Sequence, residues 1–164
     1  MKRKSESYNV LDIARYIINY CNEHGYGVSN LKLQKILYFV QAAFLVNINK
    51  KCFNESIEAW DFGPVVPEVY HEFKFYGNNN IPSIYEYIDY SNGVWEAEKV
   101  KFDNGIIEID DRDLINGMIE ECCKYSAGRL VEITHNQDPW INAYTKGCNN
   151  IITRKSIKKF FGEG

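Results

Sequence analysis

His71 and His135 are the side chains of this sequence best suited to acid–base work near neutral pH. A hydrolase would need one of them within hydrogen-bond reach of a nucleophile and of an orienting group. Cys52, Cys148, Asp61 and Asp138 are the groups to recruit, yet no nucleophile motif surrounds any of them. A histidine on a mixed helix face is more often a hydrogen-bonded structural residue. His135, after Thr134 at a predicted helix end, could instead cap backbone carbonyls. No catalytic residue is assigned, and a hydrolase centred on His71 or His135 stands as a third reading. The three histidines (24, 71 and 135) and the five cysteines (21, 52, 122, 123 and 148) lack metal-ligand spacing, so no metal site is assigned. Gly25-Tyr26-Gly27 has neither the preceding strand nor the following pattern of a phosphate loop, and no cofactor is assigned.

Binding chemistry has better candidates. Trp60, Phe62, Pro64, Pro67 and Trp140 combine large aromatic area with proline-stiffened backbone, the low-entropy chemistry that binding hot spots favour. The competing reading places Trp60 and Trp140 in the core and makes the 63–67 turn a structural corner. Charge adds a second feature. Residues 1–53 hold 8 Lys/Arg against 3 Asp/Glu, residues 54–121 hold 4 against 16, and residues 122–164 hold 7 against 3. An acidic middle meets a basic partner quickly, although acids also simply solvate loops and helix starts. The net charge of −3 gives no support to non-specific nucleic-acid binding.

The element that must position these groups runs from residue 31 to about 47. Leu33, Ile36, Leu37, Val40 and Phe44 recur at helical spacing, and residues 39–46 are apolar almost throughout. A helix apolar on all sides belongs inside a domain, so this segment is the predicted central helix, capped by Ser29 or Asn30. Before it, residues 10–24 form a predicted amphipathic helix with Asn9 as cap and Gly25 as stop. A helix–turn–helix reading of this pair needs a polar face to reach base edges. Only Lys32 and Lys35 offer one, so a structural hairpin of helices is preferred.

Downstream, residues 57–62 read as a strand and Pro67 as the first turn of a helix that ends at Gly77. Residues 84–90 fit strand and helix equally. Residues 94–102 alternate, and Asp103-Asn104-Gly105 before Ile106-Ile107-Glu108-Ile109 predicts a hairpin turn there. Further helices are expected from Asp110 or Asp111 to about 125, after Ser126 to about 134, at Asp138-Pro139, and from Thr153 to 162. The fold expected is mainly α: a single globular domain of about six to seven helices around a buried central helix, with a small antiparallel β-hairpin or sheet. Residues 1–8 are expected to be a disordered basic tail, and residues 9–162 the domain. No run approaches the roughly 20 apolar residues of a membrane span. Polar residues follow the basic start where a secretory signal would be apolar, and the odd cysteine count fits reduced thiols, so a cytoplasmic protein is expected.

Several of these stretches share a pattern. Lys32-Leu33-Gln34-Lys35-Ile36-Leu37-Tyr38-Phe39 resembles the KLQKLLYF segment of the Panacea domain family, also called SocA-like or phage-associated GepA-like. The likeness continues through Ile57-Glu58-Ala59-Trp60, Phe62-Gly63-Pro64-Val65-Val66-Pro67, Tyr70-His71 and Tyr76-Gly77. It closes with residues 130–135 and Pro139-Trp140, and residues 84–109 carry no matching motif. The resemblance implies a mainly helical domain, common in prophages and mobile elements, that acts as an antitoxin by direct contact with a cognate toxin. One branch of the family delivers its toxin to a protease or its unfoldase. The contact residues expected on this basis, joined to the aromatic reading above, are Trp60, Phe62, Pro64, Pro67, His71, Tyr76, His135 and Trp140. A DNA-binding regulator of its own operon, acting through residues 10–47, is the alternative.

Overall fold

The computed structural model describes residues 7–163. Of the tail expected at 1–8, residues 1–6 lie outside the described residues. Tyr8 is no tail residue: its N–H donates to the Cys52 carbonyl at 2.8 Å and its hydroxyl to Asp111 at 2.5 Å.

Seven α-helices are described: α1 (Val10–Glu23), α2 (Asn30–Asn47), α3 (Pro67–Phe73), α4 (Ile109–Cys122), α5 (Ala127–His135), α6 (Asp138–Ala143) and α7 (Arg154–Glu163). Local chemistry sets their starts. The Asn9 side chain accepts from Leu11 N, that of Ser29 from Lys32 N and that of Ser126 from Arg129 N, each satisfying a donor the first turn leaves free. Pro67 and Pro139 occupy first turns, where a missing N–H costs nothing. The Asp138-Pro139 helix begins at Asp138 itself, with Gln137 in the cap position.

Helix α2 is the axis. It touches α1, α3, α4, α5, α7 and the edge of the sheet, and Leu33, Ile36, Leu37, Val40 and Phe44 are all buried. Its polar residues Asn30, Gln34, Lys35 and Gln41 are buried too, which periodicity did not indicate. Gln41 serves the loop after the helix: its Oε1 accepts from Cys52 N at 2.6 Å and its Nε2 donates to the Phe53 carbonyl at 2.9 Å. A Gln41→Leu change leaves those backbone groups buried without partners and is expected to cost about 3 kcal/mol in urea-denaturation measurements. A loss under about 1 kcal/mol would mean that the loop finds other partners.

The first sheet has order β2-β1-β5, all antiparallel, from β1 (Ile57–Trp60), β2 (Gly63–Val65) and β5 (Ile151–Ile152). The strand expected at 57–62 is therefore a hairpin, with Trp60 opposite Gly63 and Asp61-Phe62 at its tip. The segment at 63–67, read as a corner, begins as its second strand.

The second sheet corrects a further expectation. Strand β3 (Glu86–Asp89) pairs with β4 (Glu98–Lys101), so residues 84–90 resolve as strand, whereas 94–96 form a 3₁₀ turn. No strand follows Asp103-Asn104-Gly105. The Asp103 side chain accepts from Gly105 N at 2.9 Å and folds residues 104–106 into another 3₁₀ turn. Gly105 does not adopt the positive φ that an Asn-Gly hairpin turn requires, and Ile109 opens α4.

Candidate functional site

The polar side chains of α2 build the site from beneath. Gln34 Nε2 donates to Asn30 Oδ1 at 2.9 Å, while Gln34 Oε1 accepts from Val66 N at 2.9 Å. Asn30 Nδ2 donates to the Tyr70 carbonyl at 3.0 Å. Lys35 is wholly buried, and its Nζ donates to the Pro64 carbonyl at 3.1 Å. Desolvation lowers its pKa to about 7. Tyr38, also buried, donates to Gln137 Oε1 at 2.8 Å. The segment at 32–39 thus fixes β2, α3 and the start of α6 to one axis. It follows that Lys35 cannot reach a phosphate or a base edge, which removes half of the polar face that the DNA-binding alternative relied on.

The hairpin tip stands on this base, between two aromatic groups. Behind it, His135, Trp140 and Tyr144 stack as a column, with ring centroids 4.1 and 4.4 Å apart. Trp140 Nε1 donates to the Trp60 carbonyl at 2.9 Å and the Tyr144 hydroxyl to Asp61 Oδ1 at 2.5 Å. That hydrogen bond to a carboxylate is the main reason the Tyr144 pKa rises. In front, Trp60 packs edge-on against Tyr70 at 5.1 Å and lies 6.3 Å from His71. Between tip and α3 lies a groove of about 590 Å³, lined by Trp60, Phe62, Tyr70, Lys74 and Cys148 among others.

The expected contact residues divide. Phe62 is exposed (66%) at the tip, His71 is exposed on α3, Trp60 is half-buried, and Tyr76 and Trp140 are half-buried beside the core. Pro67 is half-buried at the start of α3. Pro64 is buried with its carbonyl turned to Lys35, so it offers no surface and its role is to hold the hairpin. His135 caps no carbonyl; its Nε2 is buried without a hydrogen-bond partner and its ring stacks on Trp140. Periodicity and motif missed Tyr144 and Phe75, the latter 89% exposed just beyond α3, and Tyr70, which the motif includes, was not among the expected contact residues.

The chemical candidates do not converge. Neither His71 nor His135 makes a hydrogen bond to a thiol or carboxylate among the described residues. Cys52 is buried, and its thiol is pushed well above the usual range by desolvation, then by Asp111 and Glu55. No group of three His, Cys, Asp or Glu side chains among the described residues is placed to hold a metal ion. No helix among them is long and apolar enough to cross a membrane. What the site presents is an aromatic rim over a groove.

The buried KLQK helix, the Gly-Pro hairpin it holds and the Pro-Trp helix behind the tip define a known class. The chain belongs to the antitoxin SocA-like, Panacea domain family, whose model matches residues 33–141. Among curated proteins it is similar to Antitoxin SocA of Caulobacter vibrioides (strain NA1000 / CB15N), at 33% identity over 114 residues. That alignment takes in 69% of this chain and 58% of the relative, so the chain spans less than two thirds of that protein's length. No solved structure matches the chain at a significant level.

Proposed function

We propose that this protein is an antitoxin that acts in the cytoplasm and neutralises a cognate toxin protein by direct contact. The observation that carries the reading is membership of the SocA-like family across residues 33–141, which include the whole hairpin and α3. The groove supports it: Phe62 and Trp60 stand on backbone held by Lys35, Gln34, Trp140 and Tyr144, so contact area is offered at little entropic cost.

Co-expression with the product of the adjacent open reading frame tests it. Growth should be rescued and a complex should co-purify; a toxic neighbour left unrescued, with no complex, ends the reading. Within a working pair, Phe62→Ala should weaken toxin binding roughly 10-fold while leaving the melting temperature within about 2 °C, since the side chain is exposed. Toxin that stays abundant while neutralised indicates occlusion of its active surface. Toxin that disappears indicates delivery to a protease or its unfoldase.

A further inference from the structure

On the far side of α3 from the groove, the β3–β4 ribbon leaves an apolar surface uncovered. Trp95 is 96% exposed and Val94 72% at its turn, with Tyr85, Ile88 and Tyr90 exposed along β3. The ribbon packs inward through Tyr87, whose ring lies 3.5 Å beneath the Arg15 guanidinium. Folding thus accounts for Tyr87. It does not account for Trp95, because an exposed tryptophan stabilises nothing in the isolated chain and the largest apolar side chains are rarely left in water without use.

The charge around this surface says what would cover it. The ribbon, residues 84–101, holds 4 Asp/Glu against 2 Lys, of which Lys99 is paired with Glu86. Between ribbon and α3 runs a slot of about 490 Å³, bordered by Glu68 and Glu72 on one side, Tyr87, Asp89 and Tyr90 on the other, and Asp12 with Arg15 at its base. Four carboxylates face one guanidinium. Arg15 shows how the slot holds a cation: its face lies on Tyr87 and its Nη1 donates to Asp12 at 2.8 Å. Glu68 and Glu72 repel one another at the slot's rim: burial, then Glu55 and Glu72, raise the Glu68 pKa. An incoming Lys or Arg would relieve that repulsion.

We propose that the ribbon is a docking surface for the toxin, which meets it with an apolar patch flanked by Lys or Arg: Trp95 and Val94 supply the contact area and the slot takes a cationic side chain. The proposal rests on the antitoxin reading and deepens it. Helix α3 becomes a ridge between two contact surfaces, the aromatic groove on one flank and the acidic slot on the other.

The test titrates the product of the adjacent open reading frame against wild type, Trp95→Ala and the double variant Glu68→Gln with Glu72→Gln, by calorimetry at low and high salt. All three changes are at exposed positions, and circular dichroism checks that each variant keeps its helices. Trp95→Ala should weaken binding about 30-fold. The double variant should weaken it several-fold at low salt and flatten the salt dependence. If wild type binds and both variants bind equally well, the ribbon is not the docking surface and the antitoxin reading stands. If wild type does not bind, both fall. If Trp95→Ala instead converts a dimer to a monomer on sedimentation with toxin affinity intact, the ribbon joins two copies of this chain and the proposal is overturned.

Discussion

Gly63→Ala should destabilise the protein by about 4 kcal/mol, a large part of the roughly 5–15 kcal/mol that holds a domain of this kind together. Two independent effects add. Gly63 sits at φ +107°, where a side chain strains the backbone, a cost on the order of 1–3 kcal/mol. In addition, a Cβ there would lie 2.7 Å from Lys35 Cε and 2.9 Å from Thr134 Oγ1. Neither neighbour yields easily. Lys35 is held by Pro64, and Thr134 is buried with its hydroxyl donating to the Leu130 or Val131 carbonyl. Overpacking of this kind costs on the order of 1–3 kcal/mol. Gly25 supplies the control: it too has positive φ, at +76°, but nothing lies within 4 Å of its would-be Cβ. Gly25→Ala should therefore lose only about 1 kcal/mol. Urea titrations of both variants check the contrast, and equal losses would show that contact at the hairpin contributes nothing beyond the dihedral.

Stability should also depend on pH through Lys35. Its folded pKa of about 7 lies below the ordinary value of 10.5 because its ammonium is desolvated with one carbonyl as partner. Between those two values the unfolded chain binds a proton that the folded chain does not. The Lys35 contribution to stability therefore rises with pH across this window, by up to about 1.4 kcal/mol per unit, and falls as pH drops towards 7; below that the proton is bound in both states and the slope ends. Lys35→Met keeps the apolar stem and removes the titration. The stability of wild type minus that of the variant should increase by about 4 kcal/mol from pH 7 to pH 10. Parallel curves would mean that Lys35 stays charged in the folded protein. The comparison with the variant is needed because Cys21, Cys52, Cys122 and Cys123, raised from 9.0 chiefly by burial, contribute with the opposite sign from about pH 9, and Tyr8, Tyr20 and Tyr38 do so from about pH 10.

Both predictions turn on residues that the sequence presents ambiguously. The spacing of Leu33, Ile36, Leu37, Val40 and Phe44 marks the core face of α2 because apolar burial follows helical period. The same logic leaves Lys35 on a polar face, and it fails because the hairpin at 63–66 brings a backbone carbonyl against that position. Helix starts at Asn9, Ser29 and Ser126 were legible, since capping is a local transaction between neighbours in the chain. The second hairpin was misplaced because two local devices competed at 103–105, and the aspartate's grip on Gly105 N prevailed over the Asn-Gly turn. Of the candidate site, the motif residues fall on the hairpin, on α3 and in the column behind the tip. They could not say that Pro64 faces inward, or that Tyr144 pins the tip, because those facts depend on segments 29 and 83 residues apart meeting in space.

The order in which the sheet is closed has a consequence for synthesis. Strand β1 lies between β2, a few residues away, and β5, more than 90 residues later, and Ile152 and Ile157 fill the core beside α2. A chain still emerging from the ribosome can form its helical hairpin and the tip, yet one flank of the central rod stays open until residues 151–157 arrive. Until translation passes that point, the nascent polypeptide exposes apolar surface that chaperones and proteases compete for.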